Sequence, residues 1–173
     1  MLLPYKGQYP QIDETAYISE DVVISGDVTI GARSSIWFKT VIRGDVSPTK
    51  IGNDVNIQDQ SMLHQSPNQP LIIEDGVTAG HQVMLHSCTI RKNALIGMGS
   101  TILDGAEIGE NAFIGAGTLV PPGKKIPPNT LVFGRPAKVI RDINEEDLKE
   151  MDRIRQSYVD KGQVYKHEQQ NRK

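Results

Sequence analysis

Three of the four histidines fall between positions 64 and 86: His64, His81 and His86. Neutral imidazole is a common ligand for divalent metals. Three such ligands with a fourth position open make the arrangement of catalytic zinc, whereas structural zinc is closed. A lone histidine is ordinarily a solvated surface residue, so this chemistry depends on the backbone bringing the rings together. The single cysteine, Cys88, excludes a disulfide framework and a Cys-rich zinc finger. It follows His86 by two and reads as a buried free thiol, with metal ligation as the alternative.

The elements that must position these rings are legible as a repeat. Every sixth residue from Ile12 to Ile42 is isoleucine. After an insertion of three the series resumes at Ile51, Ile57 and Leu63, and after one of four at Ile73, Ala79 and Leu85. One residue is then dropped, and the series runs through Ile90, Ile96, Ile102, Ile108, Ile114, Val120, Ile126 and Val132. A period of six cannot be a helical stripe, because successive members would be rotated by about 240°. Six is a multiple of the strand period, so each unit is a short strand plus a turn with one large residue inward. Such units bury a core only by stacking into a solenoid. A β-sandwich of short strands is the competing architecture, and its strands do not keep so strict a phase.

Composition agrees. Sixteen glycines, ten prolines and 5% aromatic residues do not suit a helical bundle. With 19 basic against 21 acidic residues and a net charge of −2, nucleic acid and anionic membranes are not expected partners. No apolar run approaches a bilayer span, and MLLPYKGQYPQ has no apolar stretch of signal-peptide length, so the expected location is cytoplasmic. Three segments are expected: an N-terminal extension over 1–11, the solenoid over 12–140, and a C-terminal helix and tail over 141–173. Asn144 before Glu145, Glu146 and Asp147 predicts a capped, acidic helix start. Leu148, Met151, Ile154 and Tyr158 share a helical face, Gly162 is a stop signal, and the expected helix covers 145–160.

Numbering the repeats in threes gives faces a, b and c. Ile42, Leu63 and Leu85 fall on face c, so Arg43, His64 and His86 should stack in one column about 4.8 Å apart. Phe38, Asp59, His81 and Met98 form a second column on face b. Two stacked imidazoles can share a metal with Zn–N bonds of about 2.0–2.1 Å. His81 lies across an edge of the prism, and a neighbouring copy could supply it. A ring of three chains, face b of one against face c of the next, would create three equivalent sites and predicts a homotrimer. Metal-free, solvated histidines are the alternative.

Arg43-Gly44-Asp45, Asn56-Ile57-Gln58-Asp59, His64 and Gly80-His81-x4-His86 together resemble the motif set of γ-class carbonic anhydrases, members of the hexapeptide-repeat superfamily. The resemblance spans essentially the whole chain. It implies a left-handed parallel β-helix with three strands per turn. It implies a metal held by His64 and His86 of one subunit and His81 of the next, zinc or alternatively Fe(II) or Co(II). CO2 and bicarbonate are the implied substrate and product, hydroxide being made available at neutral pH because the metal lowers the pKa of water to about 7. Gln58 is similar to the residue that orients the metal-bound water, and Asp59 to its acidic neighbour. Arg43 and Asp45 resemble an inter-subunit ion pair near the site, with a purely structural interface bridge as the alternative. Arg43 could also offset the charge of bicarbonate. Asn56 reads best as a corner-turn residue.

The chain departs from the best-characterised branch of that family after the first ligand. That branch carries a proton-shuttle glutamate on an acidic loop; here the loop is Gln65-Ser66-Pro67-Asn68-Gln69-Pro70-Leu71, without a carboxylate. Val46 follows Asp45 where that branch has another acid. Proton release is therefore expected to use buffer, water chains or Glu74, and turnover is expected to be slow. Two other functions stay open. An acyltransferase or CoA-thioester hydrolase shares the solenoid, though the longest insertion is four residues and leaves no long loop to cover a CoA arm. A non-catalytic, metal-binding trimer is the other.

Overall fold

The computed structural model describes residues 1–172 as a parallel β-solenoid of about seven turns followed by one long helix. Three short strands make each turn, and each pairs in parallel with its counterpart in the next turn. On face a the inward residues Ile30, Ile51, Ile73, Ile90, Ile108 and Ile126 lie in register. On face b the column is Ile18, Ile36, Ile57, Ala79, Ile96, Ile114 and Val132. On face c it is Ile24, Ile42, Leu63, Leu85, Ile102 and Val120. Nearly all of these side chains are fully buried. Burying each Ile or Leu contributes roughly 1.5–3 kcal/mol, enough in sum to offset the ordering of units that are individually too short to fold.

All three irregularities of the repeat occur at one edge, between faces c and a: Ile42 to Ile51, Leu63 to Ile73, and Leu85 to Ile90. They are not equivalent. The three-residue insertion does not form a loop; strand Val41–Ile51 runs straight through it and shifts register against strand Val23–Ile30 between Gly26 and Val28. The four-residue insertion forms the turn 65–70 between strands Met62–His64 and Leu71–Ile73. Extra backbone therefore accumulates beside the column that contains His64 and His86.

At the N-terminus, strand Leu2–Leu3 pairs in parallel with Ile24 and Ser25 of the first complete turn. After strand Thr130–Phe133 the chain reverses, and Lys138–Asp142 pairs with it antiparallel. The helix Glu145–Asn171 then runs back along face b. Its start is a capping box: the Asn144 side chain accepts from the Asp147 N–H while the Asp147 carboxylate accepts from the Asn144 N–H. The helix is longer than the 145–160 expected from sequence, because Gly162 does not end it. Gly162 is buried where the helix crosses Ser35, and a Cβ there would stand 3.2 Å from the Ser35 Cβ. It is a close-approach residue. Tyr158 and Tyr165 pack edge-on against Trp37, which also contacts Tyr17, so an aromatic cluster fastens the helix to face b. Among the described residues, no helix is long and apolar enough to cross a membrane.

Candidate metal centre

His64 and His86 end strands Met62–His64 and Met84–His86, which are paired in parallel with the two histidines directly opposite each other. Leu63 and Leu85 point inward and are fully buried, so alternation and the edge of the prism turn the rings out of the core. The ring centroids are 5.2 Å apart, and His64 Nδ1 lies 3.1 Å from His86 Nε2. The other nitrogen of each ring faces a carboxylate: His64 Nε2 is 3.1 Å from Asp45 Oδ1, and His86 Nδ1 is 2.5 Å from Asp104 Oδ1.

This pattern constrains the chemistry of the pair. An ionised carboxylate only accepts, so it places the ring proton on the nitrogen it touches. The two nitrogens that face each other are then both lone-pair donors, and neutral rings would repel at 3.1 Å. A cation between them, a proton or a metal ion, removes the repulsion. Two ligands on a tetrahedral ion with bonds of 2.0–2.1 Å stand about 3.3 Å apart, close to the observed separation. A carboxylate behind each ligating imidazole is the usual outer partner that fixes its tautomer and raises its basicity. The donor set fits a metal.

Both carboxylates are held in the ionised form. Burial pushes Asp45 up, but Arg43, bonded at 2.8 Å, and His64 more than offset this, leaving its pKa below the ordinary value. Asp104 is lowered chiefly by the hydrogen bond from Ser66, with burial opposing and His86 assisting. Arg43 itself is exposed, and its Nε donates to Asp45 Oδ2 at 2.9 Å.

His81 is placed elsewhere. It follows strand Thr78–Ala79 on face b, in a column with Asp59 and Met98, and its Nδ1 lies 2.7 Å from Asp59 Oδ2. Its Nε2 is left as the free lone pair. Gly80 beside it lets two turns approach closely; a Cβ there would sit 2.8 Å from the Met98 backbone nitrogen. Among the described residues, no three His, Cys, Asp or Glu side chains of one chain converge to hold a metal ion.

Gln58 and His81 line an apolar cleft of about 430 Å³ with Met98, Phe133, Ile154 and Tyr158. Gln58 is almost fully buried; its Nε2 donates to Asn56 Oδ1, and Asn56 Nδ2 donates to Thr78 Oγ1. Asn56 is thus a buried strand residue of Asn56–Ile57 and not the corner-turn residue expected from its type. The helix covers that column and removes it from solvent. Tyr158 faces the same cleft; its hydroxyl pKa is raised by burial and then by Asp59. Glu74 is occupied by Arg91 at 2.8 Å and by the Lys92 N–H, on face a. Cys88 is fully buried and its thiol is pushed up to about 12 by desolvation, so it is core and not a ligand. Sequence reasoning missed Asp104 and Tyr158. Asp104 could have been found by extending the face-c register one more turn, since Leu85 pairs with Ile102 two residues before it. Tyr158 was visible only as an apolar-face residue of the helix.

The bacterial transferase hexapeptide family, described by six repeats, matches residues 87–122. The chain is 71% identical over 172 residues to a carbonic anhydrase of Geobacillus kaustophilus, covering 99% of this chain and 94% of that one. It is 34% identical over 162 residues to γ carbonic anhydrase 2 of Arabidopsis thaliana mitochondria, covering 90% of this chain and 58% of that one. A crystal structure of a Bacillus cereus protein, named there as a candidate acetyltransferase, superposes with a TM-score of 0.95 at 68% identity over 96% of both chains. The fold is the left-handed β-helix of hexapeptide-repeat proteins. Within that superfamily, the chain belongs to the γ-class carbonic anhydrase-like family.

Proposed function

We propose that this protein is a metal-dependent carbonic anhydrase-like enzyme acting on CO2 and bicarbonate at the interfaces of a homotrimer. The observation that carries the reading is the pair of facing imidazole nitrogens, His64 Nδ1 and His86 Nε2 at 3.1 Å, each ring backed by a carboxylate. His81 of a neighbouring copy supplies the third ligand. The outward residues support which faces meet. Face a presents Gln11, Thr29, Lys50, Ile72, Thr89, Glu107 and Lys125, whereas face c presents Val23, Val41, Met62, Met84, Thr101 and Leu119, apolar but for Thr101, with Met84 exposed and the others half-buried. A largely apolar, partly exposed column beside a half-assembled ligand set is the expected surface for a second copy.

When bound, the metal acts as a Lewis acid that makes hydroxide available from water at neutral pH. Zinc is the first choice, with Fe(II) or Co(II) compatible with imidazole ligands. Gln58, fixed through Asn56 and Thr78, orients the reacting water by hydrogen bonding. The apolar wall of the cleft admits an uncharged gas more readily than an ion. Arg43, anchored by Asp45 but still exposed, offsets the charge of the anionic product. Asp59 holds His81 by its Nδ1 proton. The turn 65–70 carries no carboxylate, and Glu74 is engaged by Arg91, so proton export falls to buffer or water and turnover is slow.

Stopped-flow CO2 hydration, with zinc and separately with ferrous iron loaded under anaerobic conditions, tests this. Wild type should exceed His81→Ala by at least about a hundredfold, and light scattering should give a trimer. Equal inactivity of both with both metals, or a monomer in solution, overturns it. Because the related Bacillus cereus protein carries an acetyltransferase name, acetyl-CoA turnover is the comparison assay.

A further inference from the structure

Asp104 joins the third turn of the site to the first. Its Oδ1 accepts from His86 Nδ1 at 2.5 Å, and its Oδ2 accepts from Ser66 Oγ, also at 2.5 Å. One carboxylate thus grips the ring with one oxygen and the turn 65–70 with the other. The turn is pinned from further directions. The Ser66 N–H donates to Ser87 Oγ at 2.6 Å, Ser47 Oγ donates to the Ser66 carbonyl at 2.8 Å, and Ser87 Oγ donates to the Gln69 carbonyl at 2.9 Å. His64 immediately precedes this turn, and Ser87 immediately follows His86. The His86 ring and the turn that follows His64 are therefore tied into one hydroxyl–carboxylate network that starts at Asp104.

We infer that Asp104 is a positioning residue: by accepting the Nδ1 proton it commits His86 to the tautomer whose Nε2 lone pair faces His64, and through Ser66 it fixes the turn that follows His64. Among the described residues no other group sets the His86 tautomer, since its Nε2 meets only His64. Without the carboxylate an imidazole samples both tautomers, and the Nε2–H form presents a donor where a ligand lone pair is needed. Loss of such outer partners costs about ten- to a hundredfold in metal affinity. The inference builds on the metal-site reading, but its primary observable does not require metal.

The test uses full-length, metal-free protein labelled with ¹⁵N-histidine at about pH 8, with long-range ¹H–¹⁵N correlation of the His86 ring. Wild type should show Nδ1 protonated. Asp104→Asn, near-isosteric and able to donate to Nδ1, should lose that pattern. Zinc binding, read by competition with a chromophoric chelator, should weaken about ten- to a hundredfold in Asp104→Asn. Ser66→Ala should keep the wild-type tautomer and lose only severalfold. A wild-type ¹⁵N pattern in Asp104→Asn overturns the inference even if affinity falls, because a merely structural role would produce that combination. Unchanged affinity together with an unchanged ring also overturns it. If wild type takes up no zinc, the metal-site reading fails, and the tautomer comparison alone still decides the role of Asp104.

Discussion

Faces b and c are built from the same unit, yet their outer surfaces have opposite fates. On both, alternate residues turn inward and are sealed in the Ile/Leu column. The outward residues of face b, from Tyr17 and Ser35 through Asn56, Thr78 and Leu95, are buried as well, because the helix and its aromatic cluster lie across them. The outward residues of face c are half-buried or exposed, apolar but for Thr101, and continuous with the edge that holds His64 and His86. The repeat seals an inward column on both faces. What distinguishes them is what has been laid on the outside: a helix on one, and on the other nothing from the same chain. His64 and His86 lie where the cover is missing and where the repeat is broken, whereas Gln58 and His81 line the cleft on face b beside the helix.

Removing a ligand separates these roles most sharply. His64→Ala and His86→Ala should each lower zinc retention by more than about a hundredfold, beyond the ten- to hundredfold loss typical of outer partners, while leaving the thermal midpoint of the metal-free protein within about a degree or two. Metal content after gel filtration, paired with calorimetry, reads both. A large midpoint drop would mean that face c is structural after all.

The core beneath should behave in the opposite way. Leu63→Ala, directly under the His column, should cost about 2–5 kcal/mol in denaturant unfolding. Met84→Ala, outward and exposed on the same face, should cost little of the intrachain stability but weaken self-association in sedimentation experiments. Similar stability losses from both would erase the distinction between the two sides of the strand.

On face b, Gly162→Val should cost about 1–3 kcal/mol, because its side chain would push against Ser35 and lift the helix from the aromatic cluster. The readout is the near-ultraviolet signal of Trp37, which should change while the far-ultraviolet strand signal persists.

The smallest effect expected concerns the helix start. The Asp147 carboxyl lies below its ordinary pKa because of Arg141, and then the Asn144 N–H. A lowered folded pKa gives stability that is present above the unfolded value of about 3.9 and is lost as pH falls through the folded value. Asp147→Asn should therefore melt slightly earlier than wild type at pH 7, and the two curves should merge near pH 2. A gap independent of pH would assign the effect to the hydrogen bonds alone.

The sequence by itself determined the solenoid, its three faces and the pairing of His64 with His86. A six-residue phase fixes which side chains point inward, and counting in threes fixes which are neighbours. It also placed His81 on a different face, and its one acidic helix start at Asn144. What the tertiary structure decided is everything that depends on how one element lies against another. Gly162 looks like a stop in one dimension and is a contact point in three. Asn56 looks like a turn residue and is buried under a helix that begins only at Glu145. Asp104 has no local signature, because its partners, His86 and Ser66, reach it from two preceding turns. Local periodicity follows from backbone geometry and is written along the chain. Hydrogen-bond partners and covering elements follow from packing between distant segments, which no single window of sequence contains.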